Sequence, residues 1–176
     1  ATSGNKLFLK DLKNEKAPLI TILGDFSSDT YVIDTKGDKL YLYTNLNAPN
    51  GKVVVTDIKN PTPEHWKDLI PETENVLTPV VAGNYIFAQY MIDAISEIKQ
   101  YDFEGKFLRE IKLPSIGTAS IESAEEKDTE TYFTFENYYT PLSIYKLHLE
   151  TGKTELYWAP KIDFNPNNFE SKQVFY

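Results

Sequence analysis

The sequence contains no cysteine. That absence excludes a disulfide framework, a thiol nucleophile and any cysteine-ligated zinc or iron–sulfur centre. It leaves the compartment open, since cytoplasm and periplasm both accommodate such a chain. Histidine is nearly as scarce, with only His65 and His148, and neither stands in H-E-x-x-H or another spacing that sets two ligands on one face. No G-x-S-x-G pentapeptide is present, so the strained turn that exposes a serine nucleophile in α/β hydrolases is missing. The nearest stretch, Ser115 to Ser123, places Gly117 and Ser120 at the wrong spacing. A glycine-rich phosphate loop and a dinucleotide fingerprint are lacking too. The formal net charge is −8 and lysine and arginine form no cluster, so the electrostatic footprint of a nucleic-acid partner is absent. No apolar stretch approaches the roughly 20 residues a membrane-spanning helix needs. The first residues also lack the charged-then-apolar layout of a signal peptide. Neither a membrane partner nor an export signal of its own is expected.

What is abundant points to sheet. Tyr (12) and Phe (10) supply much of the apolar content, and aromatic residues fit a pleated surface. At 176 residues the chain is long enough for one ordinary domain with a sizeable core. Four segments then repeat a strand-like run that closes on a polar residue followed by a large apolar one. They end at Leu12, Ile58, Phe103 and Leu149, separated by 46, 45 and 46 residues. A second register agrees, with Tyr43, Tyr90 and Phe135 lying 47 and 45 residues apart. Within each period, turn residues split four short alternating runs. A unit of about 40 to 50 residues with four antiparallel strands is the signature of a β-propeller blade. A β-sandwich with regular hairpins is the alternative, but it does not require the same period three times over. The expectation is an all-β partial β-propeller of about three and a half four-stranded antiparallel blades: a half blade over residues 1–25, then blades over 26–72, 73–114 and 115–160. The first unit contributes only two runs, matching the third and fourth strands of a blade. Residues 161–176 end on a further strand, "FESKQVFY", that no blade requires.

The chemistry-bearing residues read mainly as structural. Asp11, Asp57 and Asp102 recur at blade spacing, which puts them on separate blades, where each is expected to hydrogen-bond backbone near a strand end. His148 takes the place of aspartate in the fourth unit, and His65 is expected on a surface turn or single helical turn. The acidic run Glu122, Glu125, Glu126, Asp128 and Glu130 lacks the order of a calcium loop and reads as a solvated hairpin loop. The aromatic stretches around Tyr41 and from Thr131 to Tyr139 have the composition of a ligand groove, but alternating aromatics in a blade normally pack against adjoining blades, and core packing is expected. No catalytic residue, cofactor or metal ligand is assigned.

Taken together, "TSGNKLFLKDL" at the start, "DTETYFTFENYYTPLSIYKLHLETGKTELYW" in the fourth unit and the closing "NFESKQVFY" resemble the prolyl oligopeptidase family of serine peptidases. The likeness runs in order over essentially the whole chain. It implies a seven-bladed propeller capping an α/β-hydrolase domain, with residues 1–160 as the later half of the propeller. Residues 161–176 would then be the return linker and first strand of the hydrolase domain. The family's catalytic serine, aspartate and histidine lie further along its chains, and none maps onto this sequence. The implied parent activity is cleavage of short peptides after proline through an acyl-enzyme, the propeller restricting access to small unstructured peptides. Thr2, beside Ser3, stands nearest to a family loop that touches substrate, although the cysteine some members carry there is absent. The implied partners are the hydrolase domain of the same parent chain and short proline-containing peptides. The alternative is an independent β-propeller interaction module, against which the WD and GH repeat signatures are missing.

On its own, a chain with uncovered blade faces and unpaired strand edges should self-associate. Sedimentation across a concentration series is expected to show association, and a monodisperse monomer would contradict it.

Overall fold

In the computed structural model of the chain, residues 4–161 are described. They form fourteen β-strands in four antiparallel sheets, three of four strands and one of two. Thr2, Ser3 and residues 162–176, including "FESKQVFY", lie outside the described residues. The chain divides into two compact units, Ala1–Leu77 and Thr78–Tyr176.

In the first unit, β1 (Leu7–Leu9) pairs with β2 (Ile20–Leu23). Strands β3 (Thr30–Lys36), β4 (Lys39–Thr44), β5 (Lys52–Asp57) and β6 (Lys67–Ile70) follow as a meander in sequence order. Period-two alternation sorts their side chains by face. Leu40, Leu42 and Val54 face the first sheet and enclose Ile22 with Leu7, Leu9, Ile58 and Trp66. The other face of β4 carries Tyr41, which is also fully buried, and Tyr43, whose ring stacks on Tyr31 of β3 at 4.9 Å.

The second unit repeats the plan. Its sheets are β7 (Leu77–Ala82), β8 (Tyr85–Ile92), β9 (Ile95–Tyr101), β10 (Phe107–Glu110), and β11 (Thr118–Ile121), β12 (Glu130–Glu136), β13 (Ser143–His148), β14 (Thr154–Trp158). Phe87, Ile98 and Ile111 of one sheet close on Ile121, Phe133, Phe135 and Leu147 of the other in a single apolar layer. Burying side chains of this size stabilises by about 1.5–3 kcal/mol each. Burial also pushes the Tyr90 phenol up to about 12. At Gly117 the backbone passes so near Glu136 that an added Cβ would lie 2.4 Å from its carbonyl oxygen.

Polar residues fix the alignment of neighbouring sheets. Asn5 donates from Nδ2 to the Thr30 carbonyl (2.7 Å) and accepts from the Thr30 N–H at Oδ1 (2.8 Å). Ser96 does the same to Ala119, donating to its carbonyl (3.1 Å) and accepting from its N–H (2.9 Å). Both clamp residues stand six positions before the recurring aspartate that follows β1 or β9, Asp11 and Asp102. Between β8 and β11, Gln89 accepts from the Ile121 N–H (2.9 Å). Gln100, fully buried, donates to the Leu149 carbonyl (2.6 Å).

The observed sheets match the expected three and a half blades, and the two-stranded sheet is the half blade. Two expectations need correction. Glu130 is not in the acidic loop but opens β12, where it pairs with His148. The stretch Thr131 to Tyr139 is only half core: Phe133 and Phe135 are buried, Tyr132 takes the opposite face by strand alternation, and Tyr138 lies beyond the strand, 103% exposed.

The β8–β9 hairpin turns through Asp93 and Ala94, both at positive φ (49° and 66°). Left-handed backbone costs a residue with a Cβ roughly 1–2 kcal/mol, and glycine escapes that cost. Ala94→Gly is therefore expected to raise unfolding stability by about 0.5–1 kcal/mol, offset in part by unfolded-state entropy. Chemical denaturation of the two proteins measures the difference.

Candidate docking end of the sheets

Each sheet has two ends of different construction. One is closed by the turns that follow the third strand of each blade, and there the recurring aspartates act. Asp11 accepts from the Lys13 N–H (2.8 Å), Asp57 from Lys59 (2.8 Å), and Asp102 from Glu104 (3.0 Å) and Lys106 (2.8 Å). These are Asx turns, as the sequence led us to expect, and they place the carboxylates in separate turns. In the fourth sheet His148 instead lies between Glu130 and Glu155, with Nδ1 3.2 Å from Glu130 and Nε2 3.7 Å from Glu155. Lys146 completes this group at 3.4 Å from Glu130 and 3.6 Å from Glu155, and its hydrogen bond to Glu130 raises its pKa. The four side chains lie on the face opposite the apolar layer, beside the edge-to-face pair Tyr132 and Tyr157. His65 ends a surface 3-10 turn, Pro63–His65. Among the described residues, no group of three or more His, Cys, Asp or Glu side chains is gathered to hold a metal ion.

The other end is where β14 leaves its sheet. Register places Thr118 against Glu136, Phe135 against Ser143 and Ile144 against Trp158, so β11 begins and β14 finishes at this end. The start of β9 joins it, because the Ser96 N–H donates to the Gly117 carbonyl (3.0 Å). In each unit taken by itself, the corresponding end of a sheet is built from irregular segments held by side-chain bonds. In the first unit, Asn50 donates to the Thr73 carbonyl (2.9 Å), and its N–H meets Glu72 (2.7 Å). That ties the β4–β5 loop to the segment after β6. In the second unit, Asn137 organises the β12–β13 loop. Its side chain accepts from the Thr140 N–H (2.8 Å) and the Tyr139 N–H (3.2 Å), and its amide donates to the Ile116 carbonyl (3.0 Å). The Ser115 and Tyr139 hydroxyls meet at 3.3 Å, so the serine-rich stretch serves as a loop tie.

Apolar side chains are left in solvent here. Tyr138, Leu142 (50%), Ile116 (41%) and Trp158 (51%) all stand exposed at the exit end of the fourth sheet. Together these side chains give the end of the fourth sheet a partly apolar surface rimmed by polar ties. Asn137 and the clamp residues Asn5 and Ser96 leave no trace in the sequence, because a single polar side chain that bonds a distant segment adds nothing to the periodic pattern. Thr2, the one residue singled out for substrate contact, lies outside the described residues.

Residues 1–160 match the family model for the prolyl oligopeptidase N-terminal β-propeller domain. The prolyl endopeptidase of Elizabethkingia miricola is 51% identical over 176 residues, covering 100% of this chain and 25% of that protein. The dual function macrocyclase-peptidase POPB of Amanita bisporigera is 33% identical, over 96% of this chain and 24% of that protein. Among solved structures, a prolyl endopeptidase studied for inter-domain dynamics in catalysis and specificity superposes with a TM-score of 0.86 at 28% identity. It covers 99% of this chain and 26% of that one. Apo prolyl oligopeptidase B from Galerina marginata gives a TM-score of 0.85 at 28% identity over the same shares. The chain thus spans about a quarter of the length of these relatives.

Removing the Asn137 side chain should free the β12–β13 loop. Asn137→Ala is expected to lower stability by about 1–2 kcal/mol, because it leaves the Ile116 carbonyl and two N–H groups without their partner. It should also speed amide hydrogen exchange at Tyr139 and Thr140, which mass spectrometry resolves.

Proposed function

The chain belongs to the prolyl oligopeptidase family through its N-terminal β-propeller domain, and from that premise we propose that it is the gating and docking part of a serine endopeptidase that cleaves short peptides after proline. The observation that carries this reading is coverage: the whole chain aligns at 51% identity with a quarter of a prolyl endopeptidase. That coverage favours a working part of a peptidase over an independent interaction module.

In this reading the propeller occupies residues 1–160, and residues 161–176 form the return linker and first strand of an α/β-hydrolase domain. The nucleophilic serine, its histidine and its acid would come from the parent chain beyond Tyr176. There they would form and hydrolyse the acyl-enzyme. The residues present here hold the sheets in alignment and present the exit end to that domain, from which β14 departs. A propeller over the catalytic centre excludes folded proteins by size and admits short extended peptides. It also keeps bulk water from the reacting groups. Thr2 would sit on the loop nearest the substrate.

The isolated chain is expected to give no turnover of a proline-containing chromogenic peptide. The complete parent chain should cleave the same peptide and lose that activity to a serine-directed inhibitor. Turnover by the isolated chain that survives the inhibitor control, or an inactive parent, would defeat the proposal.

A further inference from the structure

We infer that Tyr138 is an anchor side chain for the catalytic domain of the parent chain, its phenol ring seating in an apolar recess of that domain. The inference rests on the docking function proposed above and names the contact that carries it.

The first ground is exposure combined with rigidity. Tyr138 is 103% exposed, so its ring touches almost nothing in the described structure. Its backbone is nonetheless closely held. Asn137 accepts from the N–H groups of Tyr139 and Thr140, the Asn137 N–H donates to the Thr140 carbonyl (3.0 Å), and Asn137 Nδ2 holds Ile116. At the far side of the loop, Ser143 donates to the Pro141 carbonyl (2.8 Å). An aromatic side chain on a pre-ordered loop loses little entropy on binding, and tyrosine combines a large apolar face with a polar tip. This is why such residues dominate interface energetics.

The second ground is position. Leu142, Ile116 and Trp158 extend the exposed apolar surface at the same end of the fourth sheet. The main chain leaves β14 at Trp158, also at that end, and the peptidase relatives are about four times as long as this chain. A domain tethered there meets Tyr138 at the high effective concentration of an intramolecular partner. A second copy of this chain would have to bear the full association entropy. The tethered domain is therefore the occupant.

A small tyrosine-modifying reagent, read by peptide mass spectrometry, tests this on the complete parent chain and on residues 1–176. Tyr138 is expected to react readily in the 1–176 chain and at least about tenfold more slowly in the parent, as for a buried interface anchor. In the parent, Tyr138→Ala should lower kcat/KM on peptides by roughly tenfold, while Tyr138→Phe keeps the ring and most of the activity. Leu12→Ala, at the opposite end of its own sheet, should behave like the unaltered parent. Equal labelling of Tyr138 in both chains overturns the inference, as does a Tyr138→Ala parent indistinguishable from the unaltered one. Shielding that appears in the 1–176 chain as its concentration rises also overturns it, since the occupant would then be a second copy. An active parent with a freely labelled Tyr138 would sink the anchor and leave the peptidase reading standing. A shielded Tyr138 in an inactive parent would support the anchor and sink the peptidase reading.

Discussion

A four-stranded antiparallel sheet with apolar residues on both faces cannot bury them alone, and this constraint organises both units. In β4 and β8 consecutive side chains are buried, Tyr41 and Leu42 in one and Ile86 and Phe87 in the other, so neither strand has a solvent face. The apolar layers around Leu42 and around Phe133 form because neighbouring sheets supply what each lacks. β12 shows the contrast. Its Phe133 and Phe135 lie in the layer, whereas Glu130 and Tyr132 on the opposite face join a charged and aromatic group with Lys146, His148 and Glu155.

The division of labour between the two sheet ends follows from how each is made. Asx turns at one end use a single aspartate to satisfy nearby N–H groups, so they can be short and repeat with the blade. At the exit end the β4–β5 and β12–β13 loops are held instead by amides that reach across to other segments, Asn50 to Thr73 and Asn137 to Ile116. Such ties let a loop carry exposed apolar residues without collapsing onto the sheet.

Much of the architecture was legible in the sequence because it is periodic. The spacing of Leu12, Ile58, Phe103 and Leu149 reports the blade, and alternation along each run reports the strand. The Asx turns were legible for the same reason, since one local residue makes each turn. What could not be read is what periodicity does not encode. Glu130 looked like part of an acidic loop because composition cannot show that its partner is His148, eighteen residues away in sequence and directly opposite across a β-ladder. Tyr138 looked like one more core aromatic because the change from strand to loop after Glu136 falls inside an aromatic-rich stretch. Asn5 and Ser96 were invisible as clamps, because each acts on backbone more than twenty residues away and the two share no side-chain type.

The clamp geometry bears on how a blade can move. Asn5 and Ser96 each grip both the N–H and the carbonyl of one residue in the adjoining sheet, and two bonds to a single residue resist sliding far better than they resist tilting. Each seam of this kind is therefore pinned near the exit end, with the apolar layer beyond it. The relative register of two sheets joined in this way is therefore set by polar bonds at the seam, while the apolar side chains beyond it fill space without having to specify alignment.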